Sequence, residues 1–170
     1  MEFQEIKISE FDQNPFELIG QEWMLITAAK LDGAINTMTA SWGAMGVMWG
    51  KNIVYCVIRP QRYTKEFIDS ADNFSLSFFP HNFRDKLNYL GSVSGRNENK
   101  IAKAGLTPTC DGKTPYFDEA NLVFICQKIF AQNIVPQSFI DKAIEDWYHK
   151  HDYHTMYIGE IIKVLRKTVI

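Results

Sequence analysis

Asn36-Thr37-Met38-Thr39-Ala40-Ser41-Trp42-Gly43, Ile53-Val54-Tyr55-Cys56-Val57-Ile58 and Arg59-Pro60-Gln61-Arg62-Tyr63-Thr64 are three pieces of one stretch around which the chain is organised. The middle piece is apolar on both alternating faces, as in a central strand covered on both sides. Pro60 cannot donate to a ladder, so sheet pairing stops or bends there. Thr64 reads as the N-cap of a helix whose apolar face carries Phe67, Ile68 and Ala71. The first piece lies on the second arm of a hairpin: Trp23–Ala29 is a strand, Asp32-Gly33 a turn signal, and Ile35–Ser41 the return. Gly43, Gly46 and Gly50 then allow another backbone or a ligand to approach closely.

Outward from this stretch, strands dominate. Phe3, Ile6 and Ile8 mark a lead-in strand, broken by Asn14-Pro15. Phe74–Phe78 alternates strictly and reads as half-buried. Asn82 with Asp85 suggests a capping box for a helix with Phe83, Leu87 and Leu90 on one face. Glu98–Ala104 predicts a short helix ending at Gly105. Residues 106–120 read as irregular. Leu122–Val135 predicts one long strand or two, Ser138–Trp147 a helix, and Tyr153–Leu165 the final strand. No internal repeat or linker divides the chain. The expectation is one domain over residues 1–170: a mainly β barrel with short appended helices.

The totals bound the function. A chain of 170 residues is large enough to fold without disulfide or metal. Net charge −2 leaves no basic field for nucleic acid. Cys56, Cys110 and Cys126 are scattered, with no CxxC, which favours a reducing compartment. The acidic N-terminus does not read as a signal peptide, and no apolar run spans a bilayer, so the expectation is a cytoplasmic protein without a membrane partner. G-x-S-x-G and G-x-G-x-x-G are both absent, which argues against a nucleophile elbow and a Rossmann site.

Three segments offer ligand chemistry. Arg59–Thr64 combines guanidiniums with the free amides of a helix start, which suits a phosphate; it equally suits a solvated turn whose arginines pair with carboxylates. Asn36–Trp42 presents amides and hydroxyls that match the edge of a flavin ring, or simply a strand with a polar outer face. Ser94-Gly95-Arg96-Asn97 with Lys100 is a second positive loop that could close on a phosphate, but it lacks the spacing of a P-loop. His149, His151 and His154 lack helical metal spacing, and no metal is assigned to them. His154, opening the last strand, could face a bound ring and donate a hydrogen bond.

Taken in order, N-x-M-T-x-S-W (Asn36–Trp42), R-P-x-R-Y-T (Arg59–Thr64), S-G-R (Ser94–Arg96) with Lys100, and Y-I-G-E-I (Tyr157–Ile161) resemble the flavin reductase-like family, in its flavoredoxin-like branch. The resemblance spans about Trp23 to Lys163. It implies an FMN-binding split β-barrel, a homodimer, and an oxidoreductase in which FMN carries the redox step. It implies FMN contacts from Thr39, Ala40, Ser41 and Trp42 around the ring and ribityl side, and phosphate contacts from Arg59, Arg62, Tyr63 and Thr64 joined by Ser94, Gly95 and Lys100; Asn36, which opens the first motif, is counted with the cofactor-binding residues. His154 falls where this branch has a histidine before the last strand, near the ring or a nicotinamide. Members with a clear NAD(P)H site often carry G-H-x-F, which this chain lacks. The resemblance therefore leaves three readings: an NAD(P)H-dependent flavin reductase, a flavoredoxin-type FMN carrier that meets a redox protein partner, and a non-catalytic flavin-binding module.

Overall fold

The computed structural model describes residues 2–168. Ten strands form: β1 Phe3–Ile6, β2 Met24–Ala29, β3 Ile35–Ala40, β4 Gly43–Met48, β5 Lys51–Ile58, β6 Asn73–Phe78, β7 Pro108–Asp111, β8 Thr114–Phe117, β9 Leu122–Asn133 and β10 Thr155–Lys167. Short helices intervene: α1 Pro15–Glu17, α2 Thr64–Ser70, α3 Arg84–Ser92 and α4 Lys100–Lys103. The main sheet runs β3-β2-β6-β9-β10-β5-β4, with β1 added along the far half of β10. β7 and β8 make a separate hairpin.

β3 and β4 stand at opposite ends of this path, yet only Ser41 and Trp42 separate them. Six strand spacings of about 4.8 Å would set the two ends about 29 Å apart in a flat sheet. The link from Ala40 to Gly43 reaches about 11 Å at most. The sheet must therefore curl until its ends approach, without the two end strands pairing. This is a mainly β, split barrel with appended helices, as expected.

The chemistry of each strand suits its place. Leu25 and Ile26 alternate between two cores: Ile26 packs with Val54, Phe74, Phe124 and Tyr157, and Leu25 with Leu87, Leu90, Val123 and Ile125. Between β2 and β3, Thr27 donates to Thr37 over 2.9 Å, and Thr37 donates to the Ile26 carbonyl over 3.0 Å, so both buried hydroxyls are satisfied. Asp32 accepts from the Ala34 amide, and Gly33 takes φ 85°, closing the hairpin. Gly159 lies where β10 crosses the core; a Cβ there would stand 2.7 Å from Phe74 Cζ and 2.8 Å from Cys126 Cβ.

Several local expectations give way to long-range packing. β6 is buried on both faces rather than half-buried, because β2 and β9 flank it and α3, α4 and the β7–β8 hairpin help cover the sheet. Residues 106–120 are not irregular: Asp111-Gly112 turns the β7–β8 hairpin, with Gly112 at φ 58°. Asn82 does not cap a helix; it lies in a 3-10 turn, and α3 begins at Arg84 without a side-chain cap. Ser138–Trp147 is not one helix but two 3-10 turns, Pro136–Ser138 and Lys142–Tyr148.

Candidate active site

Two cavities adjoin at the open end between β3, β5 and α3. The first, of about 210 Å³, is lined by Met38, Thr39, Ala40, Ser41, Trp42, Val57, Arg59, Arg62, Trp147 and His154. The second, of about 170 Å³, takes Asn36, Met38, Gln61, Arg62, Tyr63, Thr64 and Lys100, with the Ser92–Gly95 loop. Met38 and Arg62 belong to both, so the cavities form one cleft. The residues expected to hold FMN, together with His154, lie on these cavities, with Arg62 on both. Thr39, Ala40, Ser41, Trp42, Arg59 and His154 line the first cavity; Asn36, Tyr63, Thr64, Ser94, Gly95 and Lys100 line the second.

The carbonyl end of α3 sets the second cavity. Arg62 Nη1 donates to the Gly91 carbonyl over 2.7 Å, and Lys100 Nζ to the Leu90 and Val93 carbonyls over 2.7 and 3.1 Å. Thr39 ties β3 to the same helix through the Leu87 carbonyl at 2.6 Å. Cations are favoured there, where a helix leaves carbonyls unpaired and the dipole is negative. Lys100 is 4% exposed. Burial, with the Arg62 guanidinium beside it, pushes its ammonium down to about 8.

Thr64 is not the cap expected of it. Tyr63 takes the cap position, Thr64 is the first helical residue, and its hydroxyl accepts from Asn36 Nδ2 at 2.9 Å. Asn36 packs in turn on Gly95, where a Cβ would run into Asn36 Oδ1 and stand 3.3 Å from Tyr63 Cδ1. Arg96 lies outside the second cavity: it stacks over the Tyr63 ring at 4.6 Å and pairs with Glu66.

Arg59 belongs to the first cavity, away from Lys100. Its guanidinium pairs with Asp152 at 2.7 Å and donates to the Trp147 carbonyl at 2.8 Å. Trp42 meets Trp147 edge-on at 5.3 Å and His154 at a tilt, also at 5.3 Å. Tyr148 Oη lies 2.9 Å from His154 Nδ1. Burial raises the Tyr148 phenol above its ordinary range, so it keeps its proton, and the pair bonds through whichever of the hydroxyl and Nδ1 carries the shared hydrogen. Burial, aided by the Arg59 charge, pushes the His154 imidazole down to about 4, so it is neutral at pH 7.

Sequence reasoning did not single out Trp147, Tyr148 or Asp152 as site residues. Asp152 lies within the histidine run, where its presence suggested only a metal site, and Trp147-Tyr148 is an aromatic pair just ahead of it.

The flavin reductase like domain family model matches residues 16–168, and the chain belongs to that family. The fold is shared with flavoredoxin of Desulfovibrio vulgaris (TM-score 0.68, 23% identity, 95% of this chain and 77% of that one). An FMN-binding domain of a flavin reductases-like enzyme from Shewanella baltica gives a TM-score of 0.69 at 15% identity, over 97% of this chain and 77% of that one. Nitrilotriacetate monooxygenase component B from Bacillus cereus gives 0.66 at 17%, over 94% and 79%. No curated protein matches the sequence.

A titration checks the state of His154. Its imidazole should titrate near 4 by NMR. The unfolded chain takes up this proton near 6.5 and the folded chain resists until about 4. Stability should therefore fall as pH drops across that window. His154→Asn should flatten that part of the curve by up to one proton; a resonance titrating at 6.5 or above would refute the assignment.

Proposed function

We propose that the cleft binds FMN, with the ring in the first cavity and the phosphate in the second, and that the protein is an FMN-dependent oxidoreductase. One observation carries this: a buried lysine and an arginine share a cavity whose lining holds no carboxylate. Two like charges held together at the cost of a depressed lysine call for an anion of matching charge. The donor set also fits a phosphate monoester. Lys100 keeps one N–H beyond its two carbonyl contacts, Arg62 keeps its remaining guanidinium donors, and Asn36, Thr64 and Ser94 add amide and hydroxyl groups.

Bound FMN would supply the redox chemistry, taking up two electrons and passing them on. The chain's residues supply position and electrostatics. Met38 and Val57 give the ring cavity apolar walls and Trp42 an aromatic one, while Thr39, Ala40 and Ser41 offer polar edge contacts. His154, neutral and oriented by Tyr148, offers a hydrogen bond into the cavity rather than a proton at pH 7. Within this reading a nicotinamide is the electron donor. The flavoredoxin-type carrier is the second reading, favoured by the missing G-H-x-F. Anaerobic mixing of the FMN-loaded protein with NADH or NADPH separates them: bleaching at catalytic speed supports the reductase, and a flavin that stays oxidised with both supports the carrier.

The phosphate assignment has its own test. Arg62→Ala should weaken FMN binding about 10- to 100-fold, as loss of a charge-assisted contact of about 1.5–3 kcal/mol requires. Above pH 8 the free lysine is neutral, and the dianion recharges it, so FMN binding should take up a proton by calorimetry. Unchanged affinity in Arg62→Ala would overturn the phosphate role.

A homodimer is part of the proposal. β4 is an end strand paired only with β5, and Val47, Met48 and Trp49 at its tip are exposed, Val47 by 75%. Sedimentation should return twice the 19.6 kDa chain mass; a strictly monomeric FMN-loaded protein would remove the dimer from the proposal.

A further inference from the structure

The antiparallel register of β5 and β10 pairs Ile58 with Thr155. Arg59, just past one strand, therefore sits beside His154, just before the other. From this corner a polar knot reaches across to the Lys142–Tyr148 turn. Arg59 Nη1 pairs with Asp152 Oδ2 at 2.7 Å, and Gln61 Nε2 donates to the same oxygen at 2.6 Å. Arg59 Nη2 donates to the Trp147 carbonyl at 2.8 Å, and the guanidinium lies over the Tyr148 ring at 5.1 Å. These contacts hold Asp152's carboxyl down to about 2, so the knot stays charged at any ordinary pH.

Beyond this knot, the turn is held through the Tyr148 ring, which packs on Phe139, Tyr153 and His154, and by the edge contact of Trp147 with Trp42. Of Lys142–Tyr148 only Tyr148 is buried, and Trp147 is 62% exposed although it lines the ring cavity. Segments with so few buried contacts open at low cost. The ring cavity is about 210 Å³, below the roughly 300–1,000 Å³ of small-molecule sites. A wall that yields would widen it where a second planar molecule has to lie against a bound ring. Trp147 is the wall whose attachment permits this; Trp42 and His154 are fixed to the ends of strands.

We propose that Arg59, Gln61 and Asp152 form a clamp that sets Trp147 as the adjustable wall of the ring cavity, and that Arg59 and Asp152 are positioning residues for a planar heteroaromatic or quinone-like second substrate. This rests on the FMN reading above. It gives Arg59 a different duty from Arg62: the first holds the wall, the second the anion. The indole meets the incoming ring, and the clamp fixes where the indole stands. Small acceptors that need no stacking surface are indifferent to it.

The test uses Asp152→Ala and Asp152→Asn beside the wild-type chain, each with its melting temperature recorded. Hydrogen exchange over residues 142–148 is measured on the FMN-free chain. FMN affinity is measured next. Photoreduced, FMN-loaded protein is then reoxidised by menadione, which takes two electrons and two protons to its hydroquinone, or by ferricyanide, which takes single electrons. The clamp predicts exchange at least 10-fold faster in this segment, FMN affinity within about 3-fold of wild type, and a KM for menadione at least 5-fold higher with ferricyanide rates unchanged. Asp152→Asn, which keeps the shape and one acceptor oxygen, should recover part of the effect. Unchanged exchange, an unchanged menadione KM, or an Asp152→Ala that loses FMN as Arg62→Ala does, would each overturn the proposal. If Asp152→Ala does not fold, Asp152→Asn decides. A wild-type chain that takes up no FMN defeats the FMN reading alone, and the exchange measurement still decides the clamp.

Discussion

Two residues, Ser41 and Trp42, join the strands at opposite ends of a seven-strand path, and the rest of the molecule follows from that short tether. It forces the sheet to curl, and it forbids the two end strands from lying far apart. It also leaves them unpaired, so the barrel has an opening where β3 stops and β4 starts. Backbone groups at such an edge are free to meet a ligand rather than a neighbouring strand. Gly43 makes the tether possible, because a side chain there would run into the Tyr55 carbonyl on the adjoining strand. The candidate site is thus a consequence of closure: Thr39, Ala40, Ser41 and Trp42 line the cavity because they are the last residues before the barrel turns back on itself.

The carbonyl end of α3 is the second organising element. It receives Arg62 from the entry of α2 and Lys100 from α4, and the Leu87 carbonyl in the middle of α3 receives Thr39 from the sheet, so one short helix gathers side chains from three separate elements. The unpaired carbonyls partly offset the cost of holding two cations close together and partly buried. They do not remove it, as the depressed Lys100 shows. Holding the two cations together therefore costs the free chain, as it does where pKa values are perturbed by burial and like charge.

Much of this was legible in the residues, and what was not had a common cause. The β2–β3 hairpin, the central place of β5, the apolar face of α2 and the separation into two polar segments all follow from local patterns: Asp32-Gly33, an unbroken apolar run, helical spacing, and a proline after the strand. The errors fall where a partner distant in sequence decides. Phe74–Phe78 alternates in the one-letter code, but its two serines face a second core, and Ser75 donates to the Pro115 carbonyl of the β7–β8 hairpin, so burial extends to both faces. Thr64 looked like a cap because threonines often are; Asn36, 28 residues earlier, claims its hydroxyl instead. Trp147 and Asp152 carry no motif. Their place is set by the β5–β10 register, which no local pattern encodes.

Arg59 and Arg62 show how little separates two roles. Three residues apart, both were read as phosphate ligands from composition and resemblance. Pro60 and Gln61 make the turn between them, with the Arg62 amide bonded to the Arg59 carbonyl at 3.1 Å. Arg59 still belongs to the end of β5 and faces the start of β10. Arg62 already belongs to the entry of α2 and faces the end of α3. A strand end and a helix start point their side chains in unrelated directions, so a single tight turn divides two guanidiniums between the two halves of one cleft. The motif therefore spans two environments, with one arginine paired to a carboxylate at the end of a strand and the other bonded to a carbonyl at the end of a helix.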